Sequence, residues 1–127
     1  MPVRVELSLR LPNSPGALAS VCRLLANERV NIEALTLDTS GRLRLVVDNH
    51  VRGGGVLRAA RHHVSEAEVV IASVPNSPGG SAHALQLAAD AGVNVEYAYS
   101  GMTAGGNAIV VVGVLGRAET AARAAGV

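Results

Sequence analysis

Two short segments of this 127-residue chain combine residue types that can bind a small charged molecule. Residues 11–16 read LPNSPG and residues 74–79 read VPNSPG, and each segment lies between a predicted strand and a predicted helix. The first N–H groups of a helix have no intrahelical partners and attract anions. Gly16 leaves these amides open to a carboxylate, and Asn13 adds a carboxamide that can donate to a carboxylate or accept from an ammonium. The pattern is compatible with a clamp for a free amino acid, and also with an ordinary turn rich in Asn, Pro and Gly.

The two segments belong to an internal repeat. They are 63 positions apart, and the same offset relates VNIE at 30–33 to VNVE at 93–96. Asn31 and Asn94 therefore supply a second pair of carboxamides at equivalent positions. The strand that follows matches at an offset of 65, so the second copy has a hairpin turn that is longer by two residues. Duplication of one structural unit explains these matches.

Hydrophobic periodicity predicts the elements of the first copy. Residues 2–11 alternate between apolar and polar, which is typical of a half-buried strand. Apolar residues from Leu18 to Leu25 follow helical spacing, and we expect this helix to begin near Ser14 or Pro15. The other expected elements are strands at 31–38 and 42–48, a turn at 38–41, a flexible connection at Gly53–Gly55, a short helix at 56–63 and a strand at 66–74.

The second copy repeats this order. It predicts a helix at 79–91, strands at 93–100 and 107–115, and a last helix at 117–125. The strand at 66–74 must then close the first unit and open the second, and the second unit lacks its last strand. The order is that of the split βαβ pattern. The expected fold is therefore α+β, with two ferredoxin-like βαββαβ units at 1–65 and 66–127 that pack side by side and share the strand 66–74.

The composition argues against several classes of function. Phe and Trp are absent and the net charge is +1, so the chain has neither stacking platforms for single-stranded nucleic acid nor a basic surface for DNA. The single cysteine, Cys22, rules out an internal disulfide and a cysteine-rich metal site. No apolar run approaches the roughly 18 residues of a membrane span, and the first residues lack a signal-peptide pattern. We expect a cytoplasmic protein without nucleic-acid or membrane partners.

Other reactive residue types favour structural roles. His62 and His63 are adjacent at a predicted helix end, so their side chains diverge by about 100° and do not converge on one metal ion. No Gly-Lys-Ser/Thr follows Gly53–Gly55, which excludes a P-loop. Ser81 and His83 lie two positions apart on a helix and point away from each other. We therefore expect no catalytic residue, no cofactor and no bound metal.

The Asn-x-Pro-Gly loop, the helix after it and the following Val-Asn-Ile resemble the ACT domain, a small βαββαβ regulatory module that binds amino acids. The whole chain is similar to small tandem ACT proteins in which two copies share a central strand. In the serine-binding ACT domains of phosphoglycerate dehydrogenase, an Asn three positions before the Gly and an Asn fifteen positions after it hold the ligand. The residues that match this spacing are Asn13, Gly16 and Asn31 in the first copy and Asn76, Gly79 and Asn94 in the second.

The resemblance implies a ligand between the paired units, in contact with the loop of one copy and the strand Asn of the other. One site would then combine Asn13 with Asn94, and the other would combine Asn76 with Asn31. The implied ligand-binding residues are Asn13, Ser14, Pro15, Gly16, Ala17, Leu18, Asn31 and Ile32 in the first copy and Asn76, Ser77, Pro78, Gly79, Gly80, Ser81, Asn94 and Val95 in the second.

The resemblance implies a non-enzymatic, allosteric sensor of a free amino acid. No catalytic domain is recognised in the sequence, so a regulated enzyme is expected to act in trans. A homodimer is expected because outer sheet edges or helix faces would remain to be covered. Two alternatives are a small ferredoxin-like enzyme and a structural dimerisation module without a ligand. The lack of a paired acid and base weighs against the first, and the two intact Asn/Gly sets weigh against the second.

Overall fold

The computed structural model describes residues 2–103 and 105–114. The elements within these ranges are, in chain order, β1 (Val3–Arg10), α1 (Ala17–Asn27), β2 (Ile32–Leu37), β3 (Arg42–Val47), α2 (His50–Ala59), β4 (Ser65–Val74), α3 (Gly80–Asp90), β5 (Val95–Met102) and β6 (Ala108–Val114). This order confirms the predicted α+β, ferredoxin-like fold in two copies. The helix predicted at 117–125 lies outside the described residues. Within the described ranges, no helix has both the length and the apolar character needed to cross a membrane.

The chain divides into two compact units. The N-terminal unit is Val5–Ala67, and the C-terminal unit is Glu68–Val127 together with Met1–Arg4. In the C-terminal unit the backbone N–H of Ile71 donates to the carbonyl oxygen of Pro2 at 2.9 Å. The start of the chain is therefore bonded to β4 inside the second copy. The periodicity of that copy, which predicts no fourth strand, does not predict this addition.

In the N-terminal unit, β3 lies between β1 and β2 and is antiparallel to both. Alternate residues of β1 and β3 point towards α1 and α2, as the period-two pattern of β1 predicts. The prediction that β1 is only half-buried was wrong, because Glu6 and Ser8 on its polar face are also buried. The buried residues of this core are Leu7, Leu9, Leu11, Val21, Leu25, Val30, Leu43, Leu45, Val47 and Leu57. Burial of each such Leu or Val stabilises the unit by about 1.5–3 kcal/mol. The core fixes the positions of the loop after β1 and of the turn between β2 and β3.

The glycine run lies inside α2 and is not a flexible connection. The prediction was wrong because the helix already begins before these glycines, where the side chain of Asn49 accepts a hydrogen bond from the Arg52 N–H at 3.1 Å. A Cβ on Gly53 would lie 3.2 Å from the side chain of Val47. Glycine therefore allows α2 to approach β3 closely, a tertiary contact that helix propensity does not report.

In the C-terminal unit, β6 lies between β4 and β5 and is antiparallel to both. The prediction of a longer second hairpin turn was wrong, because the two extra residues lie in β5, which has eight residues where β2 has six. The buried core residues are Val70, Ala72, Val74, Ala84, Ala88, Val110 and Val112. Tyr97 lies directly across from Gly113, and its ring occupies the space that a Cβ on Gly113 would need. Tyr97 also stacks on Tyr99, with ring centroids 6.4 Å apart.

The start of α3 leaves no room for a side chain. A Cβ on Gly80 would overlap the carbonyl oxygen of Pro75. We expect Gly80→Ala to lower the free energy of unfolding by about 1–3 kcal/mol, because the loop must move to relieve the overlap. Urea unfolding of the full chain measures this change.

Gly55→Ala is the matched control. A Cβ on Gly55 would have no neighbour within 4 Å, so alanine should stabilise α2 by about 0.5–1 kcal/mol. Similar decreases in the free energy of unfolding of the two variants would contradict the tight packing assigned to the start of α3.

Candidate functional site

The first Asn-x-Pro-Gly loop turns sharply before α1. The Ser14 N–H donates to the Pro12 carbonyl oxygen at 2.9 Å, and the Ala17 N–H donates to the Ser14 carbonyl oxygen at 3.3 Å. Gly16 caps the helix with a left-handed backbone (φ 82°) and without a side-chain hydrogen bond. The expectation that the helix begins near Ser14 or Pro15 was therefore wrong, because these residues form the turn that precedes the left-handed glycine.

The second loop has the same conformation. The Ser77 N–H donates to the Pro75 carbonyl oxygen at 2.9 Å, and the Gly80 N–H donates to the Ser77 carbonyl oxygen at 3.1 Å. Gly79 is left-handed (φ 89°) and provides no side-chain cap. Sequence identity in the two loops thus corresponds to identical backbone hydrogen bonding.

Both helices begin with unpaired amides. Among the described residues, no hydrogen bond is made by the N–H groups of Leu18 and Ala19 in α1 or of Ser81 and Ala82 in α3. These donors lie at the positive end of each helix dipole, where an anionic group is favoured. No atom lies within 4 Å of the place a Cβ on Gly16 would occupy, so this side of the first loop is uncovered.

An open groove of about 770 Å³ lies within the N-terminal unit beside these amides. One wall is the loop and the start of α1, and it includes five of the residues expected to bind ligand, namely Asn13, Ser14, Gly16, Ala17 and Leu18. The other wall is the hairpin turn from Leu37 to Gly41. Pro15 lines a smaller pocket of about 320 Å³, where His62 is also found. The groove has the volume of a small-molecule site.

The hairpin wall adds a carboxylate that was not among the expected site residues. Asp38 Oδ1 accepts hydrogen bonds from the Ser40 N–H at 2.9 Å and the Arg42 N–H at 3.1 Å, and Asp38 Oδ2 lies 3.5 Å from Arg44 Nη1. The Ser40 hydroxyl, which also donates to this carboxylate, and the Arg42 amide lower the pKa of Asp38. Strand topology is the signal that could have identified this wall. The loop after β1 and the turn before β3 must share one end of the sheet, because β1 and β3 are antiparallel neighbours.

Asn31 lies at the opposite end of the N-terminal sheet from Asn13. Arg42 begins β3 beside the end of β1, whereas Val47 ends β3 beside the start of β2. Five residues of extended chain separate these positions by about 17 Å. The Asn31 N–H donates to Asp48 Oδ1 at 3.0 Å, which fixes the backbone there, and the residue is exposed. Within the N-terminal unit, Asn13 and Asn31 cannot both contact one small ligand.

The C-terminal unit separates its two asparagines in the same way. Asn76 follows the end of β4, which lies opposite Ala108, and Asn94 precedes the start of β5, which lies opposite Val114. Both asparagines are exposed. The pairing of each strand Asn with the loop of the other copy stays a prediction of the resemblance.

The remaining expected site residues differ in exposure. Ile32 packs against the core of the N-terminal unit, and Gly80 is buried against Pro75, so neither offers a side chain to a ligand. The exposed members of the set are Ser77, Pro78, Ser81 and Val95. Across residues 2–103 and 105–114, no three His, Cys, Asp or Glu side chains are grouped as a metal site would need. Burial raises the pKa of the Cys22 thiol.

The Asp38 turn makes the stability of the protein depend on pH. Its folded pKa lies below the ordinary value of 3.8, so the ionised carboxylate stabilises the fold fully above that value. This contribution is lost as the pH falls through the lower folded pKa. We expect Asp38→Ala to lower Tm at pH 7, and to lower it much less near pH 2. Thermal unfolding at the two pH values measures the difference, and an equal loss at both would contradict the assignment.

Comparison with known proteins places this geometry in a family. A family model described as an ACT domain pair matches residues 1–127. A solved structure of a protein from Bacteroides thetaiotaomicron is 30% identical, with a TM-score of 0.79 over 96% of this chain and 85% of that chain. The comparison with curated proteins gives no significant match.

Two structures of aspartate kinases share the fold at lower identity. The ligand-free regulatory subunit of aspartate kinase from Thermus thermophilus is 18% identical, with a TM-score of 0.66 over 98% of this chain and 89% of that chain. Escherichia coli aspartokinase III in complex with lysine and aspartate is 17% identical, with a TM-score of 0.57 over 97% of this chain and 30% of that chain.

The family match covers both copies, and each copy has the left-handed glycine, the open helix start and the exposed asparagines in equivalent places. The chain belongs to the family of ACT domain pairs, which are regulatory modules.

Proposed function

We propose that this protein is a non-enzymatic sensor that binds a free amino acid at its Asn-x-Pro-Gly loops. The observation that carries the proposal is the unpaired N–H groups of Leu18 and Ala19 beside an open groove of about 770 Å³. An α-carboxylate is one of the anionic groups that such a helix start accepts. The left-handed Gly16 holds these amides uncovered without a cost in backbone strain.

The opposite wall suits the other charge of a zwitterion. The Asp38 carboxylate is ionised at neutral pH, as an ordinary aspartate is, and can attract an ammonium group across the groove. The Asn13 carboxamide, on the loop wall, can accept from the same ammonium or donate to the carboxylate. The groove thus offers partners of both signs, as an amino acid requires.

The two copies should not bind alike. Thr103 takes the position of Asp38 in the second hairpin, because its N–H donates to the Asn107 carbonyl oxygen as that of Asp38 donates to Arg42. The second loop therefore lacks the carboxylate on its hairpin side. We propose that the first loop is the tighter amino-acid site.

Amino acids are the class of ligand to test first. Escherichia coli aspartokinase III, which shares the fold, was solved with lysine and aspartate, and the Thermus thermophilus relative is a regulatory subunit. By analogy, this protein would transmit ligand binding to an enzyme held in trans, with a second copy of the chain as a further partner.

A thermal-shift screen against the common amino acids tests the proposal directly. A ligand that binds the folded state raises Tm. We expect at least one amino acid to do so, and Asn13→Ala to weaken its affinity by about tenfold, the effect of one hydrogen bond to a charged group. Asn27→Ala, which removes an exposed carboxamide at the other end of α1, is the matched control and should bind as the native protein does. No response to any amino acid, or equal weakening in the two variants, would reject the site.

The two strand asparagines provide a separate test. The resemblance predicts that Asn94→Ala weakens binding at the site that contains Gly16, and that Asn31→Ala weakens the site that contains Gly79. Isothermal calorimetry with the amino acid found in the screen measures each affinity. If both variants bind with native affinity, the site is confined to the loop and hairpin of one unit.

A further inference from the structure

A second pocket in the N-terminal unit is lined by cationic and imidazole side chains. It encloses about 370 Å³, and we call it the basic pocket. Its basic side chains are those of Arg10, Arg42, Arg61, His62 and His63. The other lining residues are Ser8, Leu9 and Ser65, so no carboxylate lines the pocket.

The three arginines have no acidic partner among the described residues. Carboxylates of this unit pair with other arginines. The pairs are Glu6 and Asp38 with Arg44, Glu28 with Arg52, and Glu66 with Arg58. The salt bridges of the described residues therefore leave the three guanidinium groups of the basic pocket without a directly paired carboxylate. A bound anion would supply the negative charge that these groups lack.

Two of the arginines are held in place. Arg10 Nη1 donates to the Ser40 carbonyl oxygen at 2.8 Å, and Arg42 Nη1 donates to Ser8 Oγ at 3.2 Å. Each guanidinium carries five N–H donors, so most of them stay available. Side chains that are already ordered lose less entropy when a ligand binds.

The third arginine sits on a backbone that favours glycine. Arg61 follows α2 with φ 71°, and the N–H of His62 donates to the Leu57 carbonyl oxygen at 3.1 Å. This is the usual end of a helix, where a left-handed glycine is preferred. Arg29 has the same role after α1, with φ 57°, and does not line the basic pocket.

We propose that the basic pocket binds a phosphate group, carried by inorganic phosphate or by the ester of a small metabolite. Guanidinium forks match phosphate oxygens in pairs, and the pocket volume suits a small molecule. His62 also lines the small pocket at the Asn-x-Pro-Gly loop, so the phosphate would lie next to the proposed amino-acid site. Arg10 and Arg42 are also bonded to the hairpin wall of that site, at the Ser40 carbonyl oxygen and the Asp38 carboxylate. Phosphate binding needs neither the free amides of α1 nor Asn13, so the two proposals are tested separately.

Arg61→Gly is the test variant, since glycine accepts the left-handed backbone and the fold should keep its stability. Arg29→Gly is the matched control because it removes the same charge from the same kind of helix end. Inorganic phosphate is titrated into each full-length protein at constant ionic strength, with chloride as the balancing anion. We expect saturable binding by the native protein and by Arg29→Gly, and about tenfold weaker binding by Arg61→Gly.

A second variant tests whether Arg61→Gly weakens phosphate binding only by changing the end of α2. Arg10→Gln removes a guanidinium from the opposite side of the basic pocket and should weaken phosphate to a similar extent. Phenyl phosphate, titrated in parallel, distinguishes the two sources: tighter binding than inorganic phosphate indicates an ester ligand, and equal binding indicates the free ion. Absence of saturable binding of both probes, or equal weakening by Arg61→Gly and Arg29→Gly, would overturn the proposal.

Discussion

An α-helix cannot satisfy its own first N–H groups, and the candidate site depends on this constraint. In both copies a left-handed glycine ends a tight turn and begins a helix without a side-chain cap. The unpaired N–H groups at the helix start can therefore bond only to a group that lies in front of them. In the N-terminal unit that space is a groove closed on its far side by the β2–β3 hairpin. The strands and their core serve to hold these two walls at one end of the same sheet.

Local features of this fold could be predicted from sequence, and tertiary features could not. The conformations of β1 and of the duplicated loops can be predicted, because each is determined by residues that are close in sequence. The beginning of α2 was missed because glycines such as Gly53 are tolerated for their close approach to Leu7 and Val30, which are distant in sequence. Asp38 was read only as a turn residue, since its position on the groove follows from strand order. The bond from Ile71 to Pro2 joins two chain segments that no local pattern connects.

The two copies share the backbone conformation of the loop but differ in the side chains around it. Loop hydrogen bonds and glycine conformations agree between the copies. The second copy has Gly80 where the first has Ala17, and the neighbouring carbonyl of Pro75 comes too close for any larger residue. Thr103 replaces the carboxylate of Asp38. Duplication thus preserved the exposed amides while the surrounding groups diverged, as expected if the two loops recognise ligand with different strength.

The exposed amides can be observed individually, and their response is the most direct test of the central claim. In a ¹⁵N-labelled sample titrated with a binding amino acid, the N–H groups of Leu18 and Ala19 should show the largest downfield proton shifts, because each gains a charged acceptor. The amide of Ala17, which is already bonded to Ser14, should move little. Saturable binding that leaves the Leu18 and Ala19 resonances in place would contradict the claim that the helix start holds the ligand.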